Sequence, residues 1–251
     1  MNPDRYVQIT ENVYLDNQGQ APFYRNGGNA IRLVKGLMIS TGLLMLAAIF
    51  YPIYLEVQDN ARRTGCCNNL MRFGLGMAQY QQDNDGKFPL VAVNDVGYSV
   101  DPQVYWAYGW ADALYPYLRK RASYICPASN NHRLTEDANG MQAERDPTEV
   151  GFTDYWFNRN LSGIAGDKLP NPQWTFLVGD GNTGHDATDA RYSLSALPAR
   201  WRDDPNSPAH RHGVGLNFCY ADGHVHWLNA TSAHDQAYNP DSFTLGKAIG
   251  D

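Results

Sequence analysis

Residues 37–55 read LMISTGLLMLAAIFYPIYL, an apolar run that no charged residue interrupts. An α-helix rises about 1.5 Å per residue, so about 20 apolar residues are needed to cross the hydrocarbon of a bilayer. The run reaches that length, and its few less apolar positions do not recur on one helix face, as they would in an amphipathic helix. The sequence therefore predicts a single transmembrane helix over residues 37–55.

The flanks of this run distinguish a membrane anchor from a secretory signal peptide. The run lies behind residues 1–36, exceeds the usual core of about 7 to 15 residues, and has no small-residue cleavage site after it. Arg32 and Lys35 precede it closely, whereas Glu56 and Asp59 follow it. This charge bias predicts a cytoplasmic N-terminus, with everything from residue 56 onward outside.

The pattern divides the chain into three parts. We expect an extended cytoplasmic N-terminal arm over residues 1–36, the span over residues 37–55, and an outer globular domain over residues 56–251. The helix should continue through residues 56–85 and stop at Gly86. Apolar residues in this continuation recur at spacings of four and three, which predicts one stripe packed on the outer domain: Cys66, Leu70, Phe73, Met77 and Tyr80.

Charge and composition bear on the partners. The chain has 20 basic and 26 acidic residues, and because residues 1–55 are slightly basic, the outer domain holds the acidic excess. Nucleic acid is an unsuitable partner because phosphate binding needs a basic surface. The 16 Tyr and 6 Trp residues suit surfaces that pack against other proteins.

The outer domain is predicted to be a long helix packed on an antiparallel β-sheet with long loops, an α+β fold. In NFCYADGHVHWL, residues 217–228, Asp222-Gly223 is the dipeptide of a two-residue type I′ hairpin turn. That turn would pair Tyr220 with Val225, Cys219 with His226, and Phe218 with Trp227. We expect one face beneath the helix (Phe218, Tyr220, Val225, Trp227) and the other turned away (Asn217, Cys219, His224, His226). Residues 174–178 read as a neighbouring strand, and residues 83–117 and 179–209 as loops.

Several separated motifs resemble the type IV pilin-like proteins of the secretion-pseudopilin class. The apolar helix runs into ARRTGCCNNLMRFGLGMAQYQQDNDGKFP at residues 61–89, and further motifs follow: YICPAS at 124–129, DYWFNRNLSG at 154–163 and WTFLVGDG at 174–181. The chain is similar to the large bacterial family with a processing-associated motif of His, nine residues, then Asp-Gly, here His212, Asp222 and Gly223. The resemblance implies a pilin-like periplasmic head on a single-pass protein of the bacterial inner (cytoplasmic) membrane.

The processing site departs from that family. The family has Gly followed by Phe-Thr-Leu-Ile-Glu, and the Glu at the fifth mature position is implied to pair subunits in a filament. Here Gly36 is followed by Leu37, and the fifth position is the uncharged Thr41. A hydroxyl cannot supply a salt partner within hydrocarbon. The remnant Gly36, Leu37 and Thr41 therefore argues against cleavage and against filament assembly.

Histidines and acids near the hairpin raise the question of a metal. His224 and His226 share a strand face with Asp222 nearby, so zinc or calcium is conceivable, with His212 as a further weak candidate. Polar residues on a half-exposed face explain the pattern better, and we expect His212 to play a structural role by satisfying backbone groups around the Asp222-Gly223 turn. Asp180, Asp186 and Asp189 do not have the spacing of an EF-hand. We predict no metal and no cofactor.

The four cysteines are Cys66, Cys67, Cys126 and Cys219. In an oxidising compartment they would pair, and the adjacent Cys66 and Cys67 are poorly placed to bond with each other on one helix. Cys66 lies on the core stripe and Cys126 stands in the family-like Cys-Pro motif, so a Cys66–Cys126 disulfide is favoured. Buried free thiols are the alternative.

Three functions remain open. The first is a non-catalytic, membrane-anchored structural subunit that docks on and stabilises a larger membrane complex, such as a photosynthetic or other bioenergetic assembly. It would contact membrane proteins and lipid through its span, arm and head. The second is a minor pseudopilin of a type II secretion or type IV pilus machine. The third is an envelope enzyme or metal-dependent binding domain, which the lack of GxSxG, HExxH and Walker motifs disfavours.

Overall fold

The computed structural model describes residues 6–10, 13–16, 27–93, 108–129, 147, 151–181, 188–231 and 236–243. The chain divides into two compact units, residues 1–56 and 57–251. The division falls one residue beyond the expected boundary between residues 55 and 56. The long helix α1 (Gly27–Asp83) contributes to both units.

The first unit contains a small hairpin and the beginning of α1. Strands β1 (Tyr6–Thr10) and β2 (Val13–Asp16) pair antiparallel. Helix α1 starts ten residues ahead of the predicted span. The prediction of an extended arm over residues 1–36 is therefore wrong for these elements, because Gly27 and Gly28 stand at the helix start, where glycine is tolerated, rather than in its interior.

Residues 31–56 of α1 form the apolar segment, and all of their side chains are exposed. The helix is long and apolar enough to cross a membrane, as predicted. Ser40 Oγ and Thr41 Oγ1 both donate hydrogen bonds to the carbonyl oxygen of Leu37, at 2.9 Å and 2.8 Å. Neither hydroxyl is left without a partner, which is what a polar group in hydrocarbon requires.

The second unit has an α+β fold, as predicted. Residues 57–83 of α1 pack on a five-stranded sheet whose strands are β3 (Tyr155–Asn158), β4 (Phe176–Asp180), β5 (Ser193–Leu194), β6 (Gly215–Tyr220) and β7 (Val225–Asn229). The spatial order is β5-β3-β4-β6-β7. The sheet is mixed rather than purely antiparallel, because β3 and β5 run parallel. The strand predicted at residues 174–178 is β4, shifted by two residues.

The predicted stripe of α1 is confirmed. Cys66, Leu70 and Phe73 are fully buried, Met77 is 1% exposed, and Tyr80 is half-buried. The ring of Phe73 lies 5.1–5.8 Å, centroid to centroid, from three other aromatic rings: Trp110, Tyr124 and Tyr155. Because aromatic burial carries much of a core's stabilisation, this aromatic group fixes the helix on the sheet.

The segments predicted as loops contain two helices. Helix α2 (Trp110–Leu118) lies mostly within residues 83–117, and the short helix α3 (Arg200–Asp203) lies within residues 179–209. Trp110, Ala111 and Leu114 are buried on one face of α2. The loop prediction is wrong there because the buried face of α2 outweighs the cost of Pro116 inside the helix, and Gly109 is the N-cap residue, where glycine is tolerated.

The β6–β7 hairpin has a different turn from the predicted one. Tyr220 N donates to His224 O and Gly223 N donates to Tyr220 O, both at 2.9 Å. Gly223 has φ +92°, whereas Asp222 keeps a negative φ. These are the features of a three-residue loop ending in a glycine bulge, because a type I′ turn needs positive φ at both central residues.

The longer loop shifts the register by one residue, so that Cys219 pairs with Val225 and Phe218 with His226. Cys219 packs in the core under α1, together with Val225. Phe218 and Tyr220 pack in a second core on the opposite side of the sheet. The predicted facing of β6 is thus inverted, because this strand is buried on both faces and gives no in–out alternation.

Candidate functional site

Four buried side chains from distant parts of the second unit converge between α1 and the sheet. They are Cys66 of α1, Cys126 in the loop that follows the turn Arg121–Tyr124, Asp180 at the end of β4, and His212 in the loop before β6. One ligand atom from each lies within 4.8 Å of those of the other three. We refer to these four residues as the buried cluster.

Each member of the cluster is positioned by its own element. Cys66 points at the sheet because it belongs to the buried stripe of α1. The loop holding Cys126 is tied down by Asp154, which accepts hydrogen bonds from Cys126 N at 2.8 Å and Ser129 Oγ at 3.1 Å. The His212 carbonyl oxygen accepts a hydrogen bond from Trp227 Nε1 of β7 at 3.3 Å.

The polar atoms of the cluster form a connected set. Asp180 Oδ2 accepts from Cys66 Sγ at 3.1 Å and lies 3.0 Å from His212 Nε2. The same nitrogen lies 3.4 Å from Cys126 Sγ. Asn217 supports the carboxylate, since its backbone N and its Nδ2 both approach Asp180 Oδ2 at 3.3 Å. One carboxylate oxygen and one imidazole nitrogen therefore carry most of the contacts.

Two buried atoms of the cluster lack hydrogen-bond partners within the described part of the chain. They are Asp180 Oδ1 and His212 Nδ1. Leaving a buried polar group unsatisfied costs about 1–3 kcal/mol, and more for a charged group. Native proteins keep such groups rarely, and one explanation is a bound water or ion.

The environment shifts the acidities of the cluster. Burial raises the pKa of the Cys66 thiol well above its ordinary value. Burial also opposes ionisation of Cys126, but hydrogen bonds with Cys66 and His212 outweigh it and lower the pKa of Cys126 to about 6. Burial opposes both charges of the His212–Asp180 pair, yet their mutual attraction raises the pKa of His212 to about 10 and lowers the pKa of Asp180. At neutral pH an imidazolium thus lies between a thiolate and a carboxylate.

The geometry differs from that of a catalytic triad. In a triad the nucleophile and the acid contact different nitrogens of the histidine. Here Cys126 Sγ and Asp180 Oδ2 both approach Nε2 of His212. The side chains of His212 and Asp180 are also fully buried. The cluster therefore differs from a catalytic triad both in the imidazole nitrogen that is contacted and in its burial.

The prediction that His212 satisfies the hairpin turn is wrong. Its ring contacts Asp180 and Cys126, and the turn is stabilised by Asp222, whose Oδ1 accepts from His224 N at 3.1 Å and lies 2.6 Å from His224 Nδ1. The tip of the hairpin lies against α1, where a Cβ on Gly74 would be 3.1 Å from Gly223 O. The His and the Asp-Gly of the motif therefore have separate roles.

Among the described residues, the others singled out from the sequence do not join the cluster. His224 stacks on Tyr220 with ring centroids 4.1 Å apart, and His226 is exposed. Asp189 pairs with Arg191 at 2.6 Å, and Asp186 lies outside the described residues. Gly36 and Leu37 lie within α1, and both are exposed.

Cys66 and Cys126 lie together, as the expected pairing requires, and both thiols are free in this structure. Sequence reasoning named every member of the cluster but did not bring all four together: Cys66 and Cys126 were paired in a disulfide, His212 was assigned to the hairpin turn, and Asp180 was given no ligand role. The available signal was that Cys66, Cys126 and His212 each occur in family-like motifs, although the motifs do not reveal that they meet. The partnership with Asp180 depends on the sheet order, which the sequence alone does not provide.

Comparison with known proteins gives one family match. Residues 56–149 match a family described as protein of unknown function (DUF1559). The matched segment begins at the last residue of the first unit and includes Cys66 and Cys126, but neither Asp180 nor His212. No curated protein and no solved structure matches the chain. A long apolar N-terminal helix packed on a mixed five-stranded sheet is nevertheless consistent with the pilin-like fold that the sequence motifs implied.

Proposed function

We propose that this chain is a non-catalytic, pilin-like subunit anchored in the bacterial inner membrane by one helix, which docks on and stabilises a larger membrane protein complex. The N-terminus is cytoplasmic and the second unit is periplasmic. The observation that carries this proposal is the exposure of every side chain in residues 31–56 of α1.

The exposed apolar surface needs a non-aqueous environment. The large apolar side chains of this segment are strongly exposed; Leu44, for example, is 71% exposed and Met38 is 70% exposed. Soluble proteins rarely expose apolar patches larger than a few hundred Å². Each buried CH₂ group contributes about 0.8 kcal/mol, so lipid or neighbouring helices stabilise this segment strongly.

Features of the second unit support a partner surface there. Met71 and Leu75 lie on α1 outside the buried stripe and are 51% and 64% exposed. They are four residues apart and so lie on the same face of the helix. An exposed apolar pair on this face of the helix supports contact with another protein.

The processing remnant supports a subunit over a fibre. Thr41 occupies the position of the filament-pairing Glu, and its hydroxyl hydrogen bonds to its own helix at Leu37. No acid is present between residues 37 and 55 to pair with a neighbouring subunit. Subunits of this chain would therefore lack the charge interaction that pairs neighbouring helices in a filament.

The test is purification of the full chain from native membranes in mild detergent, followed by native electrophoresis and intact-mass measurement. The expected result is an uncleaved chain that migrates with larger membrane proteins. A chain that begins at Leu37 and assembles into fibres would establish the pseudopilin alternative instead. Recovery as a lone monomer under several mild detergents would contradict docking.

A further inference from the structure

The buried cluster has the composition and spacing of a zinc site. We propose that Cys66, Cys126, Asp180 and His212 coordinate one zinc ion that fastens α1 to the sheet. This inference concerns the second unit alone and does not depend on the membrane partner.

The donor set suits zinc. Structural zinc sites take four ligands from thiolate, imidazole and carboxylate groups. The cluster supplies two Cys Sγ, one His Nε2 and one Asp oxygen, each from a different segment of the chain. Soft thiolates favour zinc over magnesium and calcium, which prefer oxygen ligands.

The spacing also fits a tetrahedron. With Zn–N and Zn–O near 2.0 Å and Zn–S near 2.3 Å, the edges of a tetrahedral site range from about 3.3 to about 3.8 Å. Three of the contacts are 3.0 Å for His212 Nε2 to Asp180 Oδ2, 3.1 Å for Cys66 Sγ to Asp180 Oδ2 and 3.4 Å for Cys126 Sγ to His212 Nε2. Each lies within about half an ångström of its ideal edge, so small side-chain movements admit the ion.

The charges balance around a divalent ion. Two thiolates and a carboxylate carry three negative charges, of which zinc neutralises two. The guanidinium of Arg211 interacts electrostatically with Cys126 and Asp180 and supplies the remaining positive charge. On binding, Cys66 loses its thiol proton and His212 its Nε2 proton to solvent.

Surrounding groups hold the ligands in place. Tyr155 OH donates to Cys66 Sγ at 3.4 Å and itself accepts from Asn69 Nδ2 at 3.1 Å. Asn217 orients Asp180 through two contacts at 3.3 Å. Supporting contacts of this kind are typical around metal ligands. The partnerless Asp180 Oδ1 gains a nearby cation, which offsets the cost of burying it.

Metal analysis of the full chain, purified in mild detergent without chelator, tests the site. The expected content is about one zinc ion per chain, falling below about a tenth in Cys66→Ser and in the nearly isosteric Asp180→Asn. Cys219→Ser is the matched control, because Cys219 is an equally buried thiol of the same core outside the cluster. It should keep its zinc.

Cobalt substitution keeps the proposal testable if a variant fails to fold. Wild-type protein stripped of metal and reloaded with Co²⁺ should show the visible and sulfur charge-transfer bands of a tetrahedral thiolate site. Wild-type protein with no stoichiometric zinc and no such bands would overturn the proposal. A Cys66–Cys126 disulfide found by non-reducing peptide mapping would overturn it too, as would equal loss of zinc from folded Cys219→Ser.

Discussion

Residues 31–56 and residues 57–83 are two parts of one helix, and they differ in the exposure of their apolar side chains. In the first part every side chain is exposed, whereas in the second the stripe from Cys66 to Met77 is buried. The second part carries Arg62, Arg63 and Arg72 on its exposed faces, and the first part has no charge from residue 37 to residue 55. A helix that is apolar all round is suited to a membrane or to the core of a large protein, whereas one that is apolar on a single stripe packs on a protein core through that stripe. The two parts of α1 are therefore suited to different surroundings.

The largest expected effect comes from placing charge in the first part. Leu46→Arg with Phe50→Arg should abolish stable membrane integration, because each Arg at the centre of a span costs about 2.5–3.5 kcal/mol. Alkaline extraction of membranes measures it: the variant should leave the membrane fraction while the wild type stays.

A matched variant separates position from charge. Met71→Arg with Leu75→Arg adds the same two charges four residues apart, at exposed positions of the second part. It should remain in the membrane fraction. Retention of the Leu46→Arg/Phe50→Arg protein in extracted membranes would mean that residues 37–55 do not span the bilayer.

The next effect is loss of the aromatic anchor. Phe73→Ala should destabilise the second unit by about 3–5 kcal/mol, because it removes a fully buried ring and leaves a cavity. Thermal melting of the full chain in detergent, followed by near-ultraviolet circular dichroism, measures this change. Leu75→Ala, two residues along and exposed, is the control and should change stability by no more than about 0.5 kcal/mol. Similar melting of both variants would contradict the assigned stripe.

The two parts of α1 also explain what the sequence could predict. Both the apolar length and the spacing of Cys66, Leu70 and Phe73 are local patterns, so the span and the stripe were readable without a structure. The hairpin was located correctly but misregistered, because Asp222-Gly223 is compatible with a two-residue turn and with a bulged three-residue loop. The hydrogen bond from Tyr220 N to His224 O and the negative φ of Asp222 distinguish them in the structure.

Contacts between residues that are distant in the sequence could not be predicted. Helix α2 lies mostly in a segment predicted as a loop, and its burial depends on contacts such as Trp110 Nε1 with Tyr192 O at 2.8 Å. The buried cluster needs residues 66 and 212 to meet, which the sheet order decides. Sequence periodicity carries no information about which distant residues meet, so it does not predict this cluster.

A smaller effect on stability is expected when a glycine in each part of α1 is replaced by alanine. Gly74→Ala should destabilise the second unit by about 1–3 kcal/mol, because a new Cβ would lie 3.1 Å from Cys219 Sγ and 3.2 Å from Gly223 Cα. A Cβ on Gly42 would have no atom of the described residues within 4 Å, so Gly42→Ala should leave both membrane integration and melting unchanged. Melting curves of the two variants in one detergent decide the point. Equal behaviour would mean that the hairpin tip does not rest on α1.

The smallest stability effect belongs to the exposed pair on the second part. Leu75→Ser removes an exposed apolar side chain and should change the free energy of unfolding of the isolated protein by no more than about 0.5 kcal/mol. Migration with larger membrane proteins should nevertheless weaken, because the lost apolar contact lies at the proposed docking face. The matched control is Leu90→Ser, a 51% exposed leucine beyond the end of α1, which should leave migration unchanged. If Leu75→Ser migrates with its partners as the wild type does, the docking face is not this side of the helix, and the anchor alone must account for the association.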